Sequence, residues 1–164
     1  MKNIKFIILV GLPGSGKSTF CELFRSNKLK TNILCQDLMG RKLCEESLLK
    51  SIKENDITIL DRVNFSKEDR KYWLNLSLLP AKQCLCIYLS TPKFICIDRV
   101  KNRENHPTIK KGGGERIIND INTKFEVPDK VEGFIDVINL EDEEDVRNYL
   151  KLWECNKIEL EDNN

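Results

Sequence analysis

The chain has one histidine, His106, in 164 residues, and its seven cysteines (21, 35, 44, 84, 86, 96 and 155) form no C-x-x-C pair. An odd thiol count with a single imidazole argues against both a disulfide framework and a structural metal site. Cys35, Cys84 and Cys86 fall in strand-like runs, where a free thiol acts as a small hydrophobe. A reducing compartment, cytoplasm or nucleus, is therefore expected. No apolar run approaches the roughly 18 residues of a membrane span, and the N-terminal run Ile4–Val10 lacks a cleavage site, so no membrane partner is expected. Repeats and low-complexity tracts are also missing.

Nor is there an excess of one charge. Against 27 Lys and Arg stand 26 Asp and Glu, a net of +1, which argues against a dedicated duplex-binding protein and leaves room for transient contact with a strand end. The balance is uneven, however. Residues 141–164 carry nine acids and three bases, a net of −6, which leaves +7 for residues 1–140. Two readings follow. A basic body could accept a polyanionic substrate near its active site. Alternatively, 141–164 is a solvated terminal helix with Glu141, Asp142, Glu143, Glu144 and Asp145 in its first turns, where the helix dipole favours acids.

What is present is a phosphate-binding loop. Gly11-Leu12-Pro13-Gly14-Ser15-Gly16-Lys17-Ser18 matches G-x-x-x-x-G-K-[ST], with an apolar run, Phe6 to Val10, before it and a helical pattern after it. Glycines let the chain curl until successive N–H groups converge on one phosphate. The expected nucleotide contacts are Gly11, Pro13, Gly14, Ser15, Gly16, Lys17, Ser18 and Thr19. Lys17 brings charge to the β- and γ-phosphates, the Ser18 hydroxyl holds Mg²⁺, and the helix opening near Lys17 adds its positive dipole end. A plain Gly-rich turn would explain neither the lysine and hydroxyl nor both flanks. A nucleoside triphosphate, ATP or GTP, is the expected ligand.

The rest of the chain alternates strand and helix. Apolar runs at Ile4–Val10, Asn32–Cys35, Ile57–Leu60, Cys84–Leu89 and Ile135–Leu140 read as buried parallel strands. Helical patterns cover about 17–25, 40–53, 66–79, 92–104 and 114–125; Ser66-Lys67-Glu68-Asp69 is a capping-box-like start, and Pro80 is expected to stop that helix. The expectation is one α/β domain over 1–164: a P-loop fold, a five-stranded parallel sheet with helices on both faces, adenylate-kinase-like with a helical lid at about 99–114. Ligands should bind at the carboxyl ends of its strands.

Each remaining motif sits at such an end. Asp37, in Cys35-Gln36-Asp37, would face the phosphate loop and accept a proton from an attacking hydroxyl; otherwise it is a turn or helix-capping acid. Asp37-Leu38-Met39-Gly40 also spells D-x-x-G, but no N-K-x-D element follows, so no GTPase switch is read. Asp61, closing the third strand in Leu60-Asp61-Arg62-Val63-Asn64, would hold Mg²⁺, orient the acceptor, or merely end a strand. Arg70 would reach a substrate phosphate or form a surface salt bridge. Arg99 and Arg103, four apart, share one helix face and would neutralise the transferring phosphoryl group from the lid. The loop from Asn105-His106-Pro107 to Gly112-Gly113-Gly114 has the glycines of a mobile segment.

From about Lys5 to Leu140 these residues resemble the kinase domain of polynucleotide 5′-hydroxyl kinases, the module found in polynucleotide kinase/phosphatase, with kinship to tRNA-ligase kinase modules. The resemblance covers Gly11–Thr19, Gln36-Asp37-Leu38-Met39-Gly40 with Cys44, Asp61-Arg62-Val63-Asn64 with Arg70, and Arg99 with Arg103. Its most family-specific part is Lys124-Phe125-Glu126-Val127-Pro128 with Glu132-Gly133-Phe134. It implies transfer of the γ-phosphate of ATP or GTP to the 5′-hydroxyl of RNA or DNA, as in end healing and repair, with a ligase as downstream partner. By resemblance Asp37 is the base, Lys17, Arg99 and Arg103 are catalytic, Ser18 and Asp61 serve the metal, and Arg41, Asp61, Asn64 and Arg70 join Asp37 on the substrate.

The chain departs from the pattern at Arg62-Val63, where the family usually has a hydroxyl residue before the asparagine, and at Gln36, often an arginine. Some phage-type members carry an arginine at the position of Gly40; here Arg41 is next door. No D-x-D-x-T phosphatase signature or ligase lysine motif occurs, so the expectation is a kinase-only chain or one module of a longer protein. A small-molecule kinase for nucleosides or sugars, or a non-catalytic NTP-binding module, are the alternative functions.

Overall fold

A computed structural model describes residues 3–25, 29–102 and 114–161, the last eight as backbone alone. Five short strands, β1 (Phe6–Val10), β2 (Thr31–Cys35), β3 (Ile57–Asp61), β4 (Cys84–Leu89) and β5 (Asp136–Leu140), form one parallel sheet in the order β2-β3-β1-β4-β5. The helices are α1 (Lys17–Arg25), α2 (Gln36–Met39), α3 (Arg41–Glu54), α4 (Lys67–Ser77), α5 (Lys93–Lys101), α6 (Gly114–Asn122) and α7 (Glu143–Glu161). The expected five-stranded parallel α/β architecture is the one found.

Strand alternation sorts the core into two layers. Ile7 and Leu9 face one side with Ile57, Ile59, Leu85 and Ile87, against Phe20 and Phe24 of α1 and Val146, Leu150 and Trp153 of α7. Phe6, Ile8 and Val10 face the other side with Leu34, Leu60 and Cys86, against Cys44 and Leu48 of α3 and Trp73 of α4. β1 is buried on both faces, so an unbroken apolar run is what its position demands. A third cluster joins Leu12 of the phosphate loop to Cys96 and Val100 of α5 and Ile118 of α6, which packs these two helices against the loop.

Two local expectations are revised. Pro80 does not end α4. The helix stops at Ser77 because Leu78 takes a left-handed conformation (φ 57°) with its N–H on Asn75 O, and Ser77 Oγ caps Leu79 N. A four-residue helix, α2, fills the segment just past β2, turning the chain at Gly40 (φ 78°) into α3. The acids at 141–145 open α7 as expected: Asp142 caps Asp145 N at 2.9 Å, while Val146 and Leu150 dock that helix on the core.

Candidate active site

The phosphate loop is shaped by close approach. A Cβ on Gly14, which has φ +84°, would lie 2.7 Å from Cys96 O, so only glycine lets the loop pass beneath α5. Gly11 likewise runs against Ser15 Oγ and Leu89 O, and its N–H donates to Val63 O at 3.2 Å, tying the loop to the segment after β3. Lys17 opens α1 with its ammonium inside the loop, donating to Gly11 O at 2.9 Å and Leu12 O at 2.8 Å, with Ser15 Oγ at 3.5 Å. Beside it, Ser18 Oγ lies 3.5 Å from Asp61 Oδ2.

These groups line a cleft of about 350 Å³ bounded by Pro13, Gly14, Gly16, Lys17, Ser18, Gln36, Asp37, Asp61, Arg62, Val63, Phe65, Ile117 and Ile121. Parallel pairing of β2 with β3 sets Cys35 opposite Asp61, so the two chain segments that follow carry Asp37 and Asp61 into one opening. Burial pushes the Asp61 carboxyl above its usual range; Lys17 opposes that shift, Asp37 adds to it, and hydrogen bonds from Cys35 and Ser18 oppose it. Neighbouring positive charge is what this carboxylate is short of.

That bears on magnesium. Among the described residues no three His, Cys, Asp or Glu side chains form a metal-ligand cluster. Mg²⁺ at phosphate sites takes one or two protein oxygens and completes its shell with water and phosphate. The Ser18 hydroxyl beside the buried Asp61 carboxylate is a donor set of that kind, and the two groups fit the ion.

A second hollow, of about 170 Å³, lies across the loop, lined by Gly14, Ser15, Gly16, Thr19, Arg99, Asp142, Glu143 and Val146. Arg99 belongs here, with its NH1 donating to Gly14 O at 3.3 Å. Gly14 and Gly16 line both hollows, so the loop is the wall between them.

Three expected substrate residues do not line the cleft. Arg70 is fully buried: Nε and NH2 grip both oxygens of Glu132 at 2.7 and 2.8 Å, and NH1 donates to Asn64 O and Glu126 O. All three of its nitrogens are engaged in joining α4 to Asn64 and to the segment before β5. The ion pair accounts for Glu132 appearing in the sequence signature with Arg70; Glu126 meets Arg70 through its backbone carbonyl, and its side chain accepts from Lys67 N. Asn64 is also fully buried, in a left-handed conformation (φ 49°), with Nδ2 donating to Leu9 O at 2.8 Å. Arg41 is 44% exposed outside the cleft, paired with Glu45 at 2.7 Å and stacked 4.8 Å over the Tyr72 ring. Arg103, His106 and most of the lid segment lie outside the described residues.

Sequence reasoning assigned no role to several lining residues. Ile117 and Ile121 are spaced four apart on α6, a readable apolar face, but nothing local says that the face meets the cleft. Arg62 was visible as the residue after Asp61, yet only the fold shows it turned to Asp69 of α4 while Asp61 faces Ser18.

Comparison with known proteins accords with this geometry. A family model described as AAA domain matches residues 6–128. The chain is 28% identical over 155 residues to Transcription factor bHLH140 of Arabidopsis thaliana, and 28% identical over 153 residues to Bifunctional polynucleotide phosphatase/kinase of Schizosaccharomyces pombe. These alignments cover 90% and 88% of this chain but only 17% and 36% of those proteins. Among solved structures, Chaetomium thermophilum Kti12 superposes with a TM-score of 0.66 at 15% identity, covering 91% of this chain and 97% of that one. A fungal RNA kinase gives 0.63 at 17% identity (90% and 84% covered), and a gluconokinase from Sinorhizobium meliloti gives 0.62 at 12% (93% and 95%). At such identities the structures speak for a shared P-loop kinase fold.

Proposed function

The chain belongs to the AAA domain family, and on that premise we propose that it is a polynucleotide 5′-hydroxyl kinase, moving the γ-phosphoryl group of ATP or GTP to the 5′-end of RNA or DNA. The observation that carries the reading is that Asp37 lines the same cleft as Lys17 and Ser18. A carboxylate that shares a cleft with a phosphate cradle can serve an attacking hydroxyl as its base. The printed names of the polynucleotide phosphatase/kinase relative and the RNA kinase neighbour support nucleic acid as the acceptor.

In this mechanism the acceptor's 5′-oxygen attacks the γ-phosphorus as the bond to the β–γ bridging oxygen breaks. The hydroxyl proton passes to the Asp37 carboxylate, and a nucleoside diphosphate leaves. Little covalent help is required of the protein, so positioning and charge dominate. Lys17 and the loop N–H groups would stabilise charge on the β- and γ-phosphates, and Arg99, which reaches Gly14 O, would add charge at the loop; the resemblance gives Arg103 the same task. Mg²⁺, held by Ser18 and by Asp61 directly or through water, would neutralise charge on the β- and γ-oxygens. Phe65, Ile117 and Ile121 give the cleft an apolar wall.

The test is label transfer from γ-labelled ATP and GTP to 5′-hydroxyl oligonucleotides, DNA and RNA, single-stranded and nicked. Transfer is expected to at least one of them and to require Mg²⁺. A second reading, a small-molecule acceptor, draws on the modest cleft volume and the gluconokinase likeness. Transfer to nucleosides or sugars with none to any oligonucleotide would favour it. Nucleotide binding with no transfer to either would leave a non-catalytic module.

A further inference from the structure

Two cations line the main cleft among the described residues, and they are held differently. Lys17 rests on the carbonyls of its own loop. Arg62 is partly buried, at 16% side-chain exposure, and its NH1 lies 2.9 Å from Asp69 Oδ1, yet that buried nitrogen makes no hydrogen bond. The other guanidinium nitrogens have no hydrogen-bond partner among the described residues either. A guanidinium carries five N–H donors; leaving the buried NH1 unmet is costly, while Nε and NH2 stay accessible. Its charge is only partly balanced as well, because the same Asp69 oxygen stands 3.6 Å from Arg41 NH1. Glu45, the other acid on this side, is taken by Arg41 at 2.7 Å.

The direction of Arg62 says which anion would complete it. Asp61 points toward Ser18 and α1. Arg62, the first residue past β3, turns instead toward α4, where it meets Asp69, and acts electrostatically on Cys44 and Glu45 of α3. The phosphate loop leads into α1, whose core side chains lie in the other layer. An anion on the nucleotide is therefore served by Lys17, and the open fork of Arg62 belongs to the acceptor side, beside Asp37.

We propose that Arg62 is the acceptor-phosphate contact: its fork binds a phosphate that the acceptor carries beyond the hydroxyl to be phosphorylated. For a 5′-hydroxyl strand this is the first internucleotide phosphate. Planar two-point hydrogen bonding suits arginine to phosphate oxygens, and Asp69 holds the guanidinium at one edge while the other stays open. The inference rests on the reading of Asp37 as the acceptor side.

The experiment is equilibrium binding of a nucleoside, its 3′-monophosphate and a sugar acid to the full chain saturated with Mg²⁺ and a non-hydrolysable triphosphate (ATP and GTP forms). It is run on wild type, Arg62→Gln and Arg62→Lys, with phosphoryl transfer to a 5′-hydroxyl dinucleotide measured alongside. Wild type should bind the 3′-monophosphate about tenfold or more tighter than the nucleoside. In Arg62→Gln that ratio should collapse to within about twofold, and Arg62→Lys, which keeps the charge but not the fork, should retain part of it. A ratio near one in wild type, or one unchanged by Arg62→Gln, overturns the proposal. So does an Arg62-dependent preference for the sugar acid, which would assign the fork to a carboxylate. If the phosphate preference holds and the dinucleotide is not labelled, the kinase reading falls and Arg62 stands as an anion contact. Labelling without the preference leaves the kinase reading standing and removes Arg62 from the acceptor side.

Discussion

Arg62 and Arg70 leave the same strand end within eight residues of each other, and the structure treats them in opposite ways. Arg70 is completely enclosed, with three nitrogens shared between both Glu132 oxygens and the carbonyls of Asn64 and Glu126. Arg62 stands in the cleft beside a carboxylate that is also shared with Arg41, and its donors are unmet among the described residues. A buried ion pair with every guanidinium nitrogen engaged serves the fold, since any ligand reaching for it would first have to break it. A cation in a cleft with unmet donors has capacity left for a ligand. Asn64 is only half satisfied: its Nδ2 donates to Leu9 O, while its buried Oδ1 has no partner among the described residues.

Four substitutions sharpen the contrast, beginning with the largest effect. Asp37→Ala should reduce phosphoryl transfer by about 10²–10⁴-fold, as loss of a general base does, while thermal unfolding and nucleotide affinity stay close to wild type. Arg70→Met should do the reverse, costing about 3–5 kcal/mol of stability by leaving Glu132 buried and uncompensated. Denaturant unfolding measures it; the double variant Arg70→Met/Glu132→Leu should recover part of the loss, since no lone charge remains. Ser66→Ala removes the cap on Asp69 N and should cost about 1 kcal/mol in the same assay, loosening the residue that steadies Arg62. Smallest is Arg62→Gln, for which a stability change of less than about 1 kcal/mol is expected, because its ion pair is partly exposed and weakly made. If Arg62→Gln proved as destabilising as Arg70→Met, the contrast between the two arginines would be broken.

The parts of this molecule legible in its sequence are those specified locally. The phosphate loop, the five apolar runs and the Ser66 helix start each need only neighbouring residues, and the structure has each of them. Arg70 was not legible as a structural residue because its partner lies 62 positions away and its burial follows from α4 meeting the segment before β5. A sequence shows that an arginine is present, not whether its donors are already taken. The stop of α4 at Leu78 was hidden for a related reason. Left-handed backbone is disfavoured for leucine, and it is held there by Asn75 and Ser77 rather than by the nearby proline. Likewise α2 is one turn of helix, too short to leave a periodic signal before Gly40.

The central claim, that one cleft joins a phosphate cradle to a base for an acceptor hydroxyl, is tested most directly by single-turnover label transfer from γ-labelled nucleotide to a 5′-hydroxyl oligonucleotide. Wild type and Asp37→Asn would be compared at matched nucleotide occupancy. The account predicts transfer by wild type and its near-complete loss in the variant, with nucleotide affinity retained. Transfer at an undiminished rate by Asp37→Asn would contradict it.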